Sequence, residues 1–330
     1  MSRWARALRV AAPALATVAL LWFVVRHVGV EPLVLAVRAA DPGWLAAAVL
    51  WNAAIHVGVP AEKFRRILGR LGHRLTLAET ARIWLGCQPL RFFMPLKSGE
   101  LFKVLYLRSV HGVPPGVGTW GVLIDKLTNF IALAAFAVAG ALAGATATPF
   151  SRAAWPLVAV LLMVMGGVLA APVPRWLEQS AARWPARVGR FASELAGATR
   201  HLGAGAKLGF LAISTGQVLT EGIGFWLCLR ALGASVPLGG LWLRAPLVIL
   251  AANLPVTISG IGTRELAMVV VLGGAAPAAT LAAAGILVSL VGPVLLAVLG
   301  LPFVARFLAQ SLDASGGGES LGTSRIRAVP

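Results

Sequence analysis

Residues 238–275 read LGGLWLRAPLVILAANLPVTISGIGTRELAMVVVLGGA. The stretch is apolar enough for lipid, yet Arg244, Pro246, Asn253 and Pro255 interrupt it, followed by the run Ser259-Gly260-Ile261-Gly262-Thr263-Arg264-Glu265. Proline removes a backbone donor and glycine permits unwound geometry. Unwound backbone cannot face lipid and is tolerated only where protein or a watery cavity meets its polar groups. The stretch therefore reads as a re-entrant hairpin, or a pair of half-helices, turning near mid-membrane. A second stretch, 79–108, has the same character, with Pro89, Arg91, Pro95, Lys97, Gly99 and Glu100 inside apolar sequence. Ordinary kinked helices are the alternative for both.

The rest of the chain supports a membrane setting. Of its 330 residues 58% are hydrophobic and 12% charged, where soluble domains carry about 25% charged residues. Full spans need about 20 apolar residues. The candidates are 10–27, 42–60, 119–144, 154–173, 207–232 and 279–304, the first read as an uncleaved span. The net charge is +17, and the basic residues fall in short loops between apolar runs. Such placement follows the positive-inside rule, is compatible with affinity for anionic lipid, and argues against nucleic-acid binding.

Loop charges orient the chain. Arg3, Arg6 and Arg9 put the N-terminus in the cytoplasm. The loop with Arg26, Glu31, Arg38 and Asp41 is neutral and lies outside. Lys63, Arg65, Arg66, Arg70, Arg74 and Arg82 mark an inner loop, as do Arg175, Arg183, Arg187, Arg190 and Arg200; Arg306, Arg325 and Arg327 keep the C-terminus inside. These signs close only if the first broken stretch enters from the cytoplasm and the second from outside. The predicted fold is an all-α integral membrane domain over 1–310. It has about six full spans plus two re-entrant or broken hairpins, in an inverted repeat of halves 1–150 and 151–310. A disordered cytoplasmic tail follows at 311–330. Broken helices in corresponding positions mark the binding site in inverted-repeat transporters.

Candidate chemistry gathers on the two interruptions. In Pro95-Leu96-Lys97-Ser98-Gly99-Glu100-Leu101-Phe102-Lys103, Gly99 bends the chain and the following helix offers free N–H groups to an anion. Lys97, Lys103 and Arg91 add positive charge, and Glu100 suits the helix dipole or pairs with one of them. In the second run, Gly260 and Gly262 leave backbone amides open, Thr263 is placed to cap the next helix, and Arg264 can grip a phosphate bidentately. A plain capped turn, or an Arg264–Glu265 pair at a structural break, are the simpler readings. Asp125, Lys126, Glu221 and Arg244 are charges at membrane depth, which face a cavity or a partner; a structural Glu221–Arg244 pair is the simpler case. Asn253 completes the candidate substrate-binding set. His56 and His111 are isolated, Cys87 and Cys228 read as packing residues, and no metal or cofactor spacing occurs. Gly140-x-x-x-Gly144 and Gly205-x-x-x-Gly209 read as close helix seats.

The run Pro95–Glu100, with Leu107-Arg108 and Asp125-Lys126, together with Asn253-Leu254-Pro255 through Gly260, Gly262 and Glu265, resembles the core of lysylphosphatidylglycerol-synthase-type transmembrane regions, a flippase-like family. The likeness covers about residues 10–308, with Lys97 and Lys126 where the family often has arginine. The resemblance implies a flippase of the inner membrane acting on an anionic or aminoacylated phospholipid, or on a polyprenyl-phosphate-linked lipid, with no enzymatic role and a lipid-modifying enzyme as a possible partner. An integral-membrane transferase, or a non-transporting partner of a synthase, are the other readings. The few scattered acidic residues, with no D-x-D or D-x-x-D pair, weigh against the transferase.

Overall fold

The computed structural model describes residues 18, 21–23, 25–26, 29–94, 99–144, 149–170, 183–254 and 256–304. Among these the chain is all-helical. In chain order the helices are α1 (Val30–Arg38), α2 (Pro42–Arg70), α3 (Leu77–Phe93), α4 (Leu101–His111), α5 (Pro115–Leu142), α6 (Pro149–Ala170), α7 (Ala186–Arg200), α8 (Ala204–Ala231), α9 (Leu238–Asn253), α10 (Thr263–Val271) and α11 (Ala278–Val304). Helices α2, α5 and α11 are long and apolar enough to cross a membrane, and α7 with α8, bent by 85° between them, supplies a fourth candidate. The apolar part of α6 and all of α9 are shorter. The expected first span, most of it, and the tail at 311–330 lie outside the described residues, as do Pro95, Leu96, Lys97, Ser98 and Pro255.

The element order repeats. A long helix, a short helix, an irregular turn, a very short helix and a long helix begin at 42, 77, 101 and 115, and again at 204, 238, 263 and 278. Helices α4 and α10 have 11 and 9 residues, about 16 and 13 Å at 1.5 Å per residue, against a hydrocarbon thickness of about 30 Å. Pro89 and Pro246 do not make the breaks, since α3 and α9 run on through them. The chain leaves helical geometry at Met94 and Leu254, both extended, each the residue before a proline (Pro95 and Pro255), a position from which helical geometry is disfavoured.

Local signals explain the helix starts. Asp41 caps α2, its carboxylate accepting from the Gly43 (2.7 Å) and Trp44 (3.1 Å) N–H groups, with Pro42 at the first position. Thr76 and Glu79 form a capping box on α3. The Asp41 N–H also donates to the Ala231 carbonyl (2.7 Å), and Trp51 Nε1 donates to the Thr220 carbonyl (2.9 Å). These bonds hold α2 and α8 side by side and antiparallel. The main core lies among α5, α8, α9, α10 and α11 around Leu133, Leu229, Leu241, Val248, Met268 and Leu281. Leu50, Leu142, Leu157, Met163 and Leu208 are exposed, an outer surface that suits lipid better than water.

Both turns are closed by a glycine pressed onto the preceding helix. A Cβ on Gly99 would stand 2.4 Å from the Arg91 backbone nitrogen, and one on Gly260 would stand 2.4 Å from the Ala252 carbonyl oxygen. Gly260 also has φ +80, where L side chains are strained. The Gly260→Ala variant is therefore expected to lose about 1–3 kcal/mol from strain and overpacking, read as a lower melting temperature in detergent; an unchanged melt would contradict this close seat. The turn at Ile258–Gly260 packs against α3 and α9, so the second broken stretch touches the first. Of the first expected pair Gly140 seats α5 on the Leu243 carbonyl, whereas no atom lies within 4 Å of a Cβ placed on Gly144, or on Gly205 or Gly209. The Gly205–Gly209 pair does not seat a helix, because α7 turns away at this point and leaves that face of α8 open.

Candidate functional site

A cavity of about 450 Å³ lies where the two broken stretches meet α2, α5, α8 and α11. From the first half come Arg91 in the last turn of α3, Glu100 at the start of α4, and Asp125, Lys126 and Asn129 on α5. From the second half come Glu221 and Gln217 on α8, Asn253 at the end of α9, Ser259 in the turn and Arg264 in the first turn of α10. A π turn at Leu290–Val294, containing Pro293, bulges α11 into the same wall. Wider turns of this kind recur at functional sites.

The first-half charges form one network. The Glu100 carboxylate stands 2.7 Å from Lys103 Nζ, 2.7 Å from Lys126 Nζ and 3.7 Å from Arg91 Nη1. Lys103 also lies over the Trp84 ring, 5.0 Å from its centre. Lys63 is 3.0 Å from Asp125 Oδ1 and donates to the Asp125 backbone carbonyl (2.8 Å). Lys63 is not in an inner loop, as its basic neighbours imply, since α2 continues to Arg70 and Lys63 is 0% exposed. It belongs to the buried face of α2 with Pro60, Phe64 and Ile67, a spacing that periodicity along α2 could have revealed. Asp125 and Lys126 sit about three turns into α5, because that helix starts at Pro115 rather than near 119.

The second-half charges are held by a different device. Arg264 Nη1 donates to Ser289 Oγ (2.7 Å), the Ser289 hydroxyl donates to Glu265 Oε1 (2.6 Å), and the Gly262 N–H donates to Glu265 Oε2. Glu265 thus caps α10 from within. The expected capping role of Thr263 is not seen: the helix already includes Thr263, whose hydroxyl pairs with that of Thr257 at 2.8 Å. Glu221 accepts from Gln217 Nε2 (3.1 Å) and has no ion-pair partner among the described residues. The alternative Glu221–Arg244 pair is not formed.

Of the candidate residues, Arg91, Glu100, Asp125, Lys126, Glu221, Asn253 and Arg264 reach the cavity wall. Gly99, Lys103, Gly260, Gly262 and Glu265 stand behind it, shaping or neutralising the residues that do. Arg244 is not on the wall. Lys97 lies outside the described residues.

Several wall residues escaped the sequence reading because they are uncharged. Trp84 Nε1, Gln88 Nε2 and Asn129 Oδ1 are buried there without a hydrogen-bond partner among the described residues, and Gln88 is only 5% exposed. Buried polar groups are normally paired, so these atoms define a wall prepared for a polar guest. His56, read as isolated, faces the cavity and bonds Asn52 Oδ1 at 3.0 Å. Among the described residues no group of three or more His, Cys, Asp or Glu side chains could hold a metal ion.

The electrostatic character also differs from expectation. The two interruptions offer mainly cations for an anion, but among the described residues Lys63, Arg91, Lys103, Lys126 and Arg264 are nearly offset by Glu100, Asp125, Glu221 and Glu265. Carboxylates buried beside the cations lower the desolvation cost of burying them. Among the described residues the charges on the wall itself balance, three cations against three carboxylates, beside a ring of amide and indole groups. The family model described as the lysylphosphatidylglycerol synthase TM region matches residues 9–300. No curated protein matches the chain.

Proposed function

The chain belongs to the lysylphosphatidylglycerol synthase transmembrane-region family, and on that premise we propose that it carries a phosphodiester-bearing lipid across the inner membrane. The observation that carries this reading is that Arg91, from the end of the first broken stretch's leading helix, and Arg264, from the start of the second one's trailing helix, line the same cavity. The headgroup phosphate lies between these guanidinium groups and Lys126, while the tails stay in the bilayer. A volume of about 450 Å³ suits a headgroup and not a whole lipid. Unpaired Gln88, Asn129 and Trp84 bond the hydroxyl or amine groups of the headgroup. Glu221, which has no ion-pair partner among the described residues, accepts an ammonium group or a coupling proton.

The headgroup is taken to carry a phosphodiester: Arg91, Arg264 and Lys126 supply cations for its single negative charge, and Glu221 an acceptor for the ammonium group of an aminoacyl ester. A phosphomonoester such as a polyprenyl phosphate brings a second negative charge close to the wall carboxylates Glu100 and Asp125. The two hairpins enter from opposite faces, the halves are inverted repeats, and their rocking about the cavity alternates access. Both termini lie in the cytoplasm.

The test is translocation in proteoliposomes with acyl-labelled lipids. Label accessible to a membrane-impermeant reductant is expected to rise for phosphatidylglycerol or its aminoacyl ester above protein-free vesicles, and to rise less for a phosphomonoester lipid. Equal rates with and without protein, for every headgroup, would remove the proposal.

A further inference from the structure

A second concavity, of about 720 Å³, lies between the last turns of α2 and the first turns of α8. It shares no lining residue with the central cavity. One side carries Arg65, Arg66, Arg70 and Arg74; the other is formed by the bare backbone at Gly205 and Gly209 with Phe210 and Ile213. Glu62 engages two of the arginines, Arg65 through Nε (2.7 Å) and Arg66 through Nε (2.6 Å). Arg70 and Arg74 have no carboxylate partner among the described residues.

We propose that this groove binds a phospholipid with an anionic headgroup, apart from the transported one. Its phosphate sits against Arg70 and Arg74, and one acyl chain lies in the trough over Gly205 and Gly209. Three independent features fit this occupant. The free guanidinium groups supply opposite charge and bidentate geometry. The uncapped N-terminus of the 28-residue helix α8 adds unpaired N–H groups at the same end. The trough changes from cationic to apolar along α8, from the arginines to Phe210 and Ile213, as a lipid does from phosphate to chain. The 85° bend between α7 and α8 places this change where the chain turns from a helix with exposed Arg187, Arg190 and Arg200 into an apolar one, the expected depth of the headgroup boundary. Loop arginines collected by the positive-inside rule need no such trough; a lipid does.

The full-length chain carrying Arg91→Ala and Arg264→Ala, which disables the central site, separates this proposal from the transport reading. By native mass spectrometry from detergent, this parent is expected to retain dioleoyl phosphatidylglycerol in preference to dioleoyl phosphatidylcholine. Adding Arg70→Ala and Arg74→Ala is expected to weaken that retention at least about tenfold. Gly209→Leu, which fills the trough without changing charge, is expected to weaken it similarly at an unchanged melting temperature. Equal retention of the two lipids, or retention that survives the arginine changes, overturns the proposal. So does displacement of the lipid by glycerol 3-phosphate or by a poly-glutamate peptide, which would mark a free-phosphate or protein site.

Discussion

The Glu100→Gln variant is expected to lose about 3 kcal/mol or more of stability, the cost typical of removing one partner from a buried ion pair. Glu100 answers Lys103 and Lys126 at 2.7 Å each, with Arg91 at 3.7 Å. A neutral amide at this point leaves the buried Lys103 ammonium and the cavity-facing Lys126 ammonium without their shared carboxylate at the start of α4. Lys103 keeps its place over Trp84, but a ring face compensates far less than a carboxylate. Unfolding in detergent followed by intrinsic fluorescence checks the result. The double variant Glu100→Gln, Lys126→Met is expected to recover part of the loss, since it removes one of the two orphaned charges. A single variant as stable as wild type would mean that these lysines are solvated and that Glu100 is no hub.

The second large effect is on transport. Changing Arg91 and Arg264 together to alanine is expected to lower phosphatidylglycerol translocation by about a hundredfold, since each hydrogen bond to a charged group contributes roughly 1.5–3 kcal/mol. Stability should move by no more than about 1 kcal/mol, because Arg91 lies at the edge of the Glu100 network and exposed or loosely held ion pairs contribute little. Arg264→Ala releases Ser289, whose hydroxyl still serves Glu265. Arg264→Lys is expected to fall between, keeping charge but losing the planar fork. Proteoliposome translocation beside thermal unfolding of the same preparations gives the answer. Transport at the wild-type rate with both arginines gone would take the phosphate role away from this wall.

Much of the site was legible because lipid makes polar residues conspicuous. A charge or a glycine run in apolar sequence is expensive, so Arg91, Glu100, Lys126, Glu221 and Arg264 announce themselves. Uncharged wall residues such as Gln88, Asn129 and Asn52 do not, because a carboxamide in a helix is ordinary until its neighbours are known. Lys63 was misread for a related reason: beside Arg65, Arg66 and Arg70 it looks like part of a basic loop, and only its burial against Asp125 separates it from them. Ser289 lies 25 positions from Arg264, and no local pattern joins them.

Composition and the spacing of interruptions were sufficient to determine a helical membrane protein with two broken segments at matching places in its halves, since hydropathy and backbone hydrogen bonding in lipid are properties of short stretches. Which charges pair, which glycines seat a neighbour and which stand open, and how nearly the cavity is balanced were decided by tertiary packing. Those outcomes depend on distances of a few ångströms between residues as far apart as Arg91 and Arg264, and Coulomb energy and van der Waals contact respond to separation in space, not along the chain.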